Sequence, residues 1–307
     1  MPILLIKKGD LLQSQPTGNQ GGLMVKKLRL SILVEDSLSK SRRDLMAKHG
    51  LSILVEGDAD DGRFSVLMDT GPSANAVLHN ANSMGVVLDK INAIFLSHGH
   101  YDHTGGLIGV LKHIDKRVLV IAHPNIFEVK LKLDPTIRYI GSAFKSSDVE
   151  SAGGIMLLAR NPVTITNGVM TSGEVERSTP FERVEGFWTI SGGKFKEDML
   201  LDDQALVVNL RQKGLVVISG CAHSGIINTV KQAQRIAGVE EIYAVLGGFH
   251  LKNADEKRIR LTINQLIEID PEIIAPCHCT GSKAIGRIAK AFGDRCRLIG
   301  TGDVIEF

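Results

Sequence analysis

Ser97-His98-Gly99-His100-Tyr101-Asp102-His103-Thr104-Gly105-Gly106 is the stretch on which the reading of this 307-residue chain turns. It follows INAIFLS (91–97), a nearly continuous apolar run of the kind that forms a strand buried on both faces, and it leads into a segment (104–113) with helical spacing. Residues two apart at a strand end point the same way, so His98 and His100 can offer their imidazoles to one metal ion. Asp102 and His103 fall in the turn that follows, swung past the first pair, and can supply a second ion. Gly99 leaves room for the backbone, and Gly105-Gly106 let the helix approach closely. Three protein ligands per ion leave coordination positions open, the pattern of a catalytic rather than a structural site. Further ligands are therefore expected from later strand ends.

Three such ends carry candidates. GLVVISG runs into Cys221-Ala222-His223-Ser224-Gly225, YAVLGGF runs into His250, and EIIAP runs into Cys277-His278-Cys279. In α/β proteins the carboxyl ends of strands are where ligands gather. His250 reads as a substrate contact or proton donor. Strand alternation points Cys277 and Cys279 away from the side on which His278 lies. His49, His79, His113 and His123 read as structural, and Glu35, Asp202 and Asp203 as solvated or turn carboxylates.

Outward from the histidines, the pattern is that of one large α/β domain. LRLSILVE (28–35), GLSILVE (50–56), RFSVLMD (63–69) and RVLVIA (117–122) read as strands, and 73–85 as a helix with a Gly stop. From 204 onward, QALVVNL, GLVVISG, EIYAVLGG and EIIAPC alternate with helices over 225–237, 255–268 and 281–292, and RLIG and VIEF follow as further strands. Two groups of strands with their own helices predict two sheets packed face to face, helices outside. The middle, 124–200, is the least regular part. Strands such as VTITNGVM are expected there, with long loops that could reach over a site. Residues 1–27 hold the polar cluster SQPTGNQGG and read as a loose extension, with Met24 an alternative start, and 28–307 as a single domain.

Composition excludes most other classes. With 43% hydrophobic and 23% charged residues, disorder, collagen and coiled coil are ruled out. No apolar run reaches the roughly 18 residues of a membrane span, and the start has no secretory cleavage pattern. A net charge of +2 and 5% aromatics argue against nucleic acid or an anionic membrane as partner. Four Cys do not make a disulfide framework, so a cytoplasmic chain with reduced thiols is expected.

HGHYDHTGG after a buried strand, together with MDTG (Asp69 to Gly71), SGEVER, DDQALVV, SGCAHSGI, LGGFHL and PCHCTG, resembles the metallo-β-lactamase-fold superfamily. Within it the chain is similar to the branch of dihydropterin–ribofuranosylaminobenzene-phosphate synthase-like proteins, over about residues 28–281. The resemblance implies a four-layer αββα sandwich, of the α/β (α+β) class, with the site at the upper edge of the two sheets. It matches His98 and His100 to the first ion, Asp102 and His103 to the second, and His278 to the last histidine ligand. Asp69 would support the histidine loop from behind. Two positions depart from the superfamily's pattern. Its usual Gly-Asp pair reads Gly220-Cys221 here, and its middle histidine reads Gly173-Glu174. Either His223 completes the first ion with Cys221 bridging or beside it, or Glu174 turns inward as a ligand. His223 is favoured, because it lies immediately past a strand end.

Two divalent ions about 3.5–4 Å apart lower the pKa of a shared water, so that hydroxide becomes available near neutral pH to attack carbon or phosphorus. Asp102 would bind an ion and orient the nucleophile. Histidine-rich ligation favours Zn²⁺, more so with a Cys221 thiolate, and Mn²⁺ or Fe are also compatible. The expected function is a dinuclear metal-dependent hydrolase of a small phosphoester, ester or lactone, phosphorylated substrates included. The alternatives are a condensing synthase, in which the metals act as Lewis acids, and a non-catalytic metal-binding module. His100 stands where diiron oxygen-reducing relatives usually carry Glu, and no basic arm for RNA is evident.

Overall fold

Val25–Val34 (β1) enters the sheet with alternating exposed and buried residues and ends as five consecutive buried ones. A computed structural model describes residues 24–133 and 135–307. β1 pairs antiparallel with Ser52–Ala59 (β2), which pairs with Gly62–Met68 (β3). Ala93–Phe95 (β4) and Val118–Ala122 (β5) then add in parallel. The crossovers between these strands carry Ala74–Ser83 (α1), the short turn Tyr101–Thr104 (α2) and Leu107–Ile114 (α3). The buried strand read over 91–97 is only three residues long. Its neighbours Leu96 and Ser97 are buried too, so hydropathy alone could not place its ends.

The middle of the chain has more order than its sequence suggests. Leu131–Lys132 (β6) and Arg138–Tyr139 (β7) join Phe187–Ser191 (β11) and Lys194–Glu197 (β12) in a separate four-stranded sheet. Between them, Ser146–Ser151 (α4) leads to Gly154–Leu158 (β8), which closes the edge of the first half beside β5. Thr164–Thr166 (β9) and Val169–Thr171 (β10), the strands expected in VTITNGVM, form a hairpin on β13.

The second half is Ala205–Leu210 (β13), Gly214–Ser219 (β14), Ile242–Gly248 (β15) and Ile273–Cys277 (β16). The last three are parallel, connected over one face by Ile226–Ala237 (α5), Glu256–Ile269 (α6) and followed by Ser282–Phe292 (α7). Val304–Glu306 (β17) returns to pair with β1. RLIG forms no strand. The chain there makes an isolated bridge at Cys296, and Leu298 is exposed.

The αββα expectation holds, with a refinement. The two halves are linked through a single parallel contact, Val25 with Leu210, so hydrogen bonding runs through one folded sheet rather than two separate ones. The inner core lies between the halves and takes Leu30, Ile32 and Val55 from one side and Val208, Ile218 and Leu246 from the other. α1 and α3 cover the outer face of the first half, and α5, α6 and α7 that of the second. α7 shows why these segments are helical: Ala284, Ile288 and Phe292, four apart, form one buried stripe. β1 already starts at Val25, three residues before the domain boundary read from the sequence. Of the extension read over residues 1–27, residues 1–23 lie outside the described residues. Among the described residues no helix is long and apolar enough to cross a membrane.

Candidate metal centre

Strand ends from both halves meet at one edge. β3 delivers Asp69, β4 delivers Ser97 to His103, β14 delivers Cys221 and His223, β15 delivers His250, and β16 delivers His278 and Cys279. The donor atoms of His98, His100 and His223 all lie within 4.8 Å of one another. The same holds for His98, His103 and Cys221, for Cys221, His223 and His250, and for Cys221, His278 and Cys279. His98 Nε2 stands 3.0 Å from His100 Nδ1. His103 Nε2 is 3.3 Å from His278 Nε2 and 3.2 Å from Cys221 Sγ. An oxygen of Asp102 lies 3.4 Å from His278 Nε2 and 3.8 Å from His103 Nε2.

The rings are aimed from behind. His103 Nδ1 is 2.6 Å from Asp69, and His278 Nδ1 is 2.6 Å from Asp36. Ser97 Oγ donates to Asp69 at 2.7 Å, so it accepts from His98 Nδ1 at 3.0 Å. In each case the outer nitrogen is tied to an oxygen and Nε2 is turned inward, the arrangement that orients histidine ligands. Asp69, in left-handed backbone at φ 58°, also accepts from Ser97 N, so one carboxylate braces the whole loop. Gly220 is required for this contact: a Cβ there would lie 2.1 Å from Ser97 Oγ.

Electrostatics divide the cluster in two. Burial drives His98 and His223 well below the usual imidazole range and His100 down to about 3, so these rings are neutral and carry lone pairs. Burial opposes charge on His103 and His278 as well, but Asp69 and Asp102 beside the first, and Asp102 and Asp36 beside the second, outweigh it and raise both. Asp102 is held below the usual carboxylate range despite its burial, by His103 and His278. This half attracts positive charge. Both ring nitrogens of His223 and Nε2 of His100 are buried without a hydrogen-bond partner. A buried neutral imidazole left so is costly, whereas a cation accepted by its lone pair relieves the cost. The donors present fit divalent cations.

The structure thus brings His98, His100, Asp102, His103, Cys221, His223, His250 and His278 together. Glu174 does not turn inward: it bonds His123 at 2.8 Å and also Arg160. Three sequence readings need correction. Cys279 is not directed away, because β16 ends at Cys277 and residues 278–280 form a 3₁₀ turn, to which strand alternation does not apply. Burial pushes both thiols up, yet on Cys279 the contacts with Cys221, His250 and His278 prevail and favour a thiolate. His49, read as structural, faces the cluster: its Nε2 lies 3.5 Å from Asp102 and its Nδ1 2.9 Å from Asp36. Glu35, Asp202 and Asp203 are neither solvated nor mere turn residues. They are 4%, 0% and 1% exposed, and each accepts a backbone amide from a loop that carries a metal-ligand candidate. Residue spacing carried no signal for Asp36 or for this carboxylate belt.

The small sheet and residues 180–188 wall a cavity of about 1320 Å³ that opens onto the cluster. Phe187 packs over His100, His223 and His250 at ring distances of 5.3, 4.9 and 5.6 Å. The wall is anchored on α5. Ile227 N and Asn228 N donate to the Glu182 carboxylate at 2.9 Å each, and Ser178 N and Thr179 N donate to Asn228 Oδ1. Burial pushes Glu182 up to about 7 from 4.5, against those amides and the charges of Arg258 and Lys231. A carboxyl with a raised folded-state pKa binds its proton more tightly folded than unfolded. Its contribution therefore falls as pH rises from 4.5 to about 7 and stays low above, by about 3 kcal/mol in total. Glu182→Gln cannot titrate, so the difference in urea midpoint between variant and wild type is expected to move in the variant's favour from about pH 5 to about pH 8. A difference independent of pH would refute this.

Residues 47–189 match the family model of the metallo-β-lactamase superfamily. A protein of Methanocaldococcus jannaschii named 7,8-dihydropterin-6-methyl-4-(β-D-ribofuranosyl)-aminobenzene-5′-phosphate synthase is 36% identical over 267 residues, 85% of this chain and 90% of that protein. A second, uncharacterised protein of the same organism is 31% identical over 275 residues, 88% of this chain and 99% of its own length. Among solved structures, a metal-dependent hydrolase of the β-lactamase superfamily superposes with a TM-score of 0.75 at 28% identity, covering 91% of this chain and 98% of that one.

Proposed function

Because the chain belongs to the metallo-β-lactamase superfamily, we propose that it is a dinuclear metal-dependent hydrolase of a small, phosphorylated substrate. His98, His100 and His223 would hold one divalent cation. Asp102, His103 and His278 would hold the other, with Cys221 between them. Imidazole and thiolate donors suit Zn²⁺ best. Such a pair of cations supplies Lewis acidity toward the substrate and a water made acidic enough to act as nucleophile near neutral pH. Asp102, beside both His103 and His278, would orient the attacking water. His250, partly exposed on the cavity wall with Nδ1 unpartnered, is placed to give or take a proton at the departing group. Phe187 excludes water from the three imidazoles beneath it.

The observation that carries this reading is the convergence of His98, His100 and His223, the last two with unpartnered ring nitrogens and lining the large cavity. Among the described residues, Lys132, Arg138, Arg183, Lys252, Lys257 and Arg258 line that cavity beside Asp102, Glu185 and Asp255, which favours an anionic substrate. Tyr101, Tyr139, Phe181 and Trp188 add flat apolar walls that suit a ring.

The name of the 36% identical relative favours a second reading, the joining of a dihydropterin to a ribofuranosylaminobenzene phosphate. The cavity exceeds the roughly 300–1,000 Å³ of common ligand sites and has room for two partners. The test is a panel of phosphodiesters, phosphomonoesters, esters and lactones offered to the Zn²⁺- and Mn²⁺-loaded protein, beside the pterin and aminobenzene phosphate pair. Turnover without a pterin is expected. Turnover only with the pair makes the chain a synthase. Full metal occupancy with no turnover of any kind makes it a binding module.

A further inference from the structure

The two groups of histidine ligands come from different halves of the sandwich, and the parallel contact that joins the halves in the sheet, Val25 with Leu210, lies at the ends of β1 and β13 away from the site. One dipeptide bridges the halves beside the histidine loops. The turn before β13 places Asp202 and Asp203 side by side between the loops, with Gln204 N donating to Ser97 O at 2.9 Å. Asp202 Oδ2 accepts from Gly99 N at 2.7 Å, the amide between His98 and His100. Asp203 Oδ2 accepts from Ser224 N at 2.9 Å, the amide next after His223. Adjacent carboxylates thus grip the two loops that must agree on the position of one cation. The negative charge this buries is offset by Lys130, itself 1% exposed, whose Nζ lies 2.5 Å from Asp202 and 3.1 Å from Asp198. Lys130 immediately precedes β6 of the cavity wall, and its carbonyl accepts from Ile140 N, so the clamp reaches the cover as well.

We propose that Asp202 and Asp203, held by Lys130, are positioning residues that set the spacing between His98/His100 and His223 by gripping the backbone amides beside them. None of the three reaches the cluster; they act only through the loops. This rests on the metal reading above, in which those three histidines share a cation. Partners that orient metal ligands commonly change affinity about 10- to 100-fold when removed.

The test uses the full-length protein loaded with Co²⁺, whose visible absorption bands report ligand geometry, with affinity measured by competition against a chelator. Asp202→Ala and Asp203→Ala are each expected to keep the far-ultraviolet circular dichroism of the wild type. Each should bind Co²⁺ about 10- to 100-fold more weakly, with shifted or broadened bands. Asp202→Asn keeps an acceptor for Gly99 N while losing the charge that holds Lys130, and is expected in between, about three- to tenfold weaker. If the alanine variants do not fold, Asp202→Asn decides. A folded variant with wild-type affinity and an unchanged spectrum overturns the clamp. Wild-type protein that takes up no Co²⁺ overturns the metal reading itself, and the clamp with it.

Discussion

Asp102→Ala and His100→Ala are each expected to lower bound metal in elemental analysis and to reduce turnover by about a thousandfold, with the fold retained. The size follows from what each side chain does. Asp102 is the one carboxylate that faces both His103 and His278 from within the cluster. In the proposed reading, removing it would take away the anion that compensates a cation there and the group that orients the attacking water. Several kcal/mol of transition-state stabilisation are at stake, and each 1.36 kcal/mol is tenfold in rate. His100 Nδ1 stands 3.0 Å from His98 Nε2, and in the proposed reading its loss would leave one cation with two of its three imidazoles. The fold should survive because backbone groups, not these side chains, hold the loop. Asp102 O accepts from Leu51 N, His103 O from Thr70 N, and Tyr101 N donates to Ile140 O. Thermal melting of the metal-free proteins separates the two effects. Wild-type metal content in both variants would refute the assignment.

How much of this was legible in the chain depended on whether a residue's role was local. The histidine motif was legible because a strand end and a turn fix the mutual direction of His98, His100, Asp102 and His103 within six residues. Each later strand end could then be checked for a donor, which led to Cys221, His223, His250 and His278. What failed were inferences that extended a local rule past its element. Alternation sent Cys279 away from the site, but the strand had already ended and a 3₁₀ turn had begun. Other features had no local signature at all. Glu35, Asp202 and Asp203 look like any turn acids in the chain. They are buried because other loops bring amides to them, from 21 positions away for Asp203, 103 for Asp202 and 243 for Glu35. His49 and Asp36 meet within the connection from β1 to β2, and Asp36 reaches His278 because β16 ends at the same edge. The cover was read as irregular loops because its strands β6 and β7 are two residues long, too short for periodicity to register.

The buried cation beneath that edge gives the largest expected loss of stability. Lys130→Met keeps the length and apolar stem of the side chain but removes the charge between Asp198 and Asp202. Neither carboxylate can reach water to replace it, since they are 5% and 0% exposed. Breaking a buried ion pair by deleting one partner costs about 3–5 kcal/mol, because the remaining charge is left uncompensated. Against a typical total of about 5–15 kcal/mol, that is a large fraction. Burial disfavours the charged lysine, but Asp202 and Asp198 prevail and raise it above its ordinary 10.5. A base with a raised folded-state pKa contributes fully below its unfolded value and loses that contribution as pH rises through the folded one. The stabilisation is therefore intact at neutral pH and fades only in strong alkali, so the urea midpoint of Lys130→Met should lie well below wild type at pH 7. The double variant Lys130→Met with Asp202→Asn should recover part of the loss, because it also removes one of the stranded charges while leaving an acceptor for Gly99 N. A single variant within about 1 kcal/mol of wild type would mean that the two aspartates find compensation elsewhere, and that the ion pair is not what permits so much negative charge beside the histidine loop.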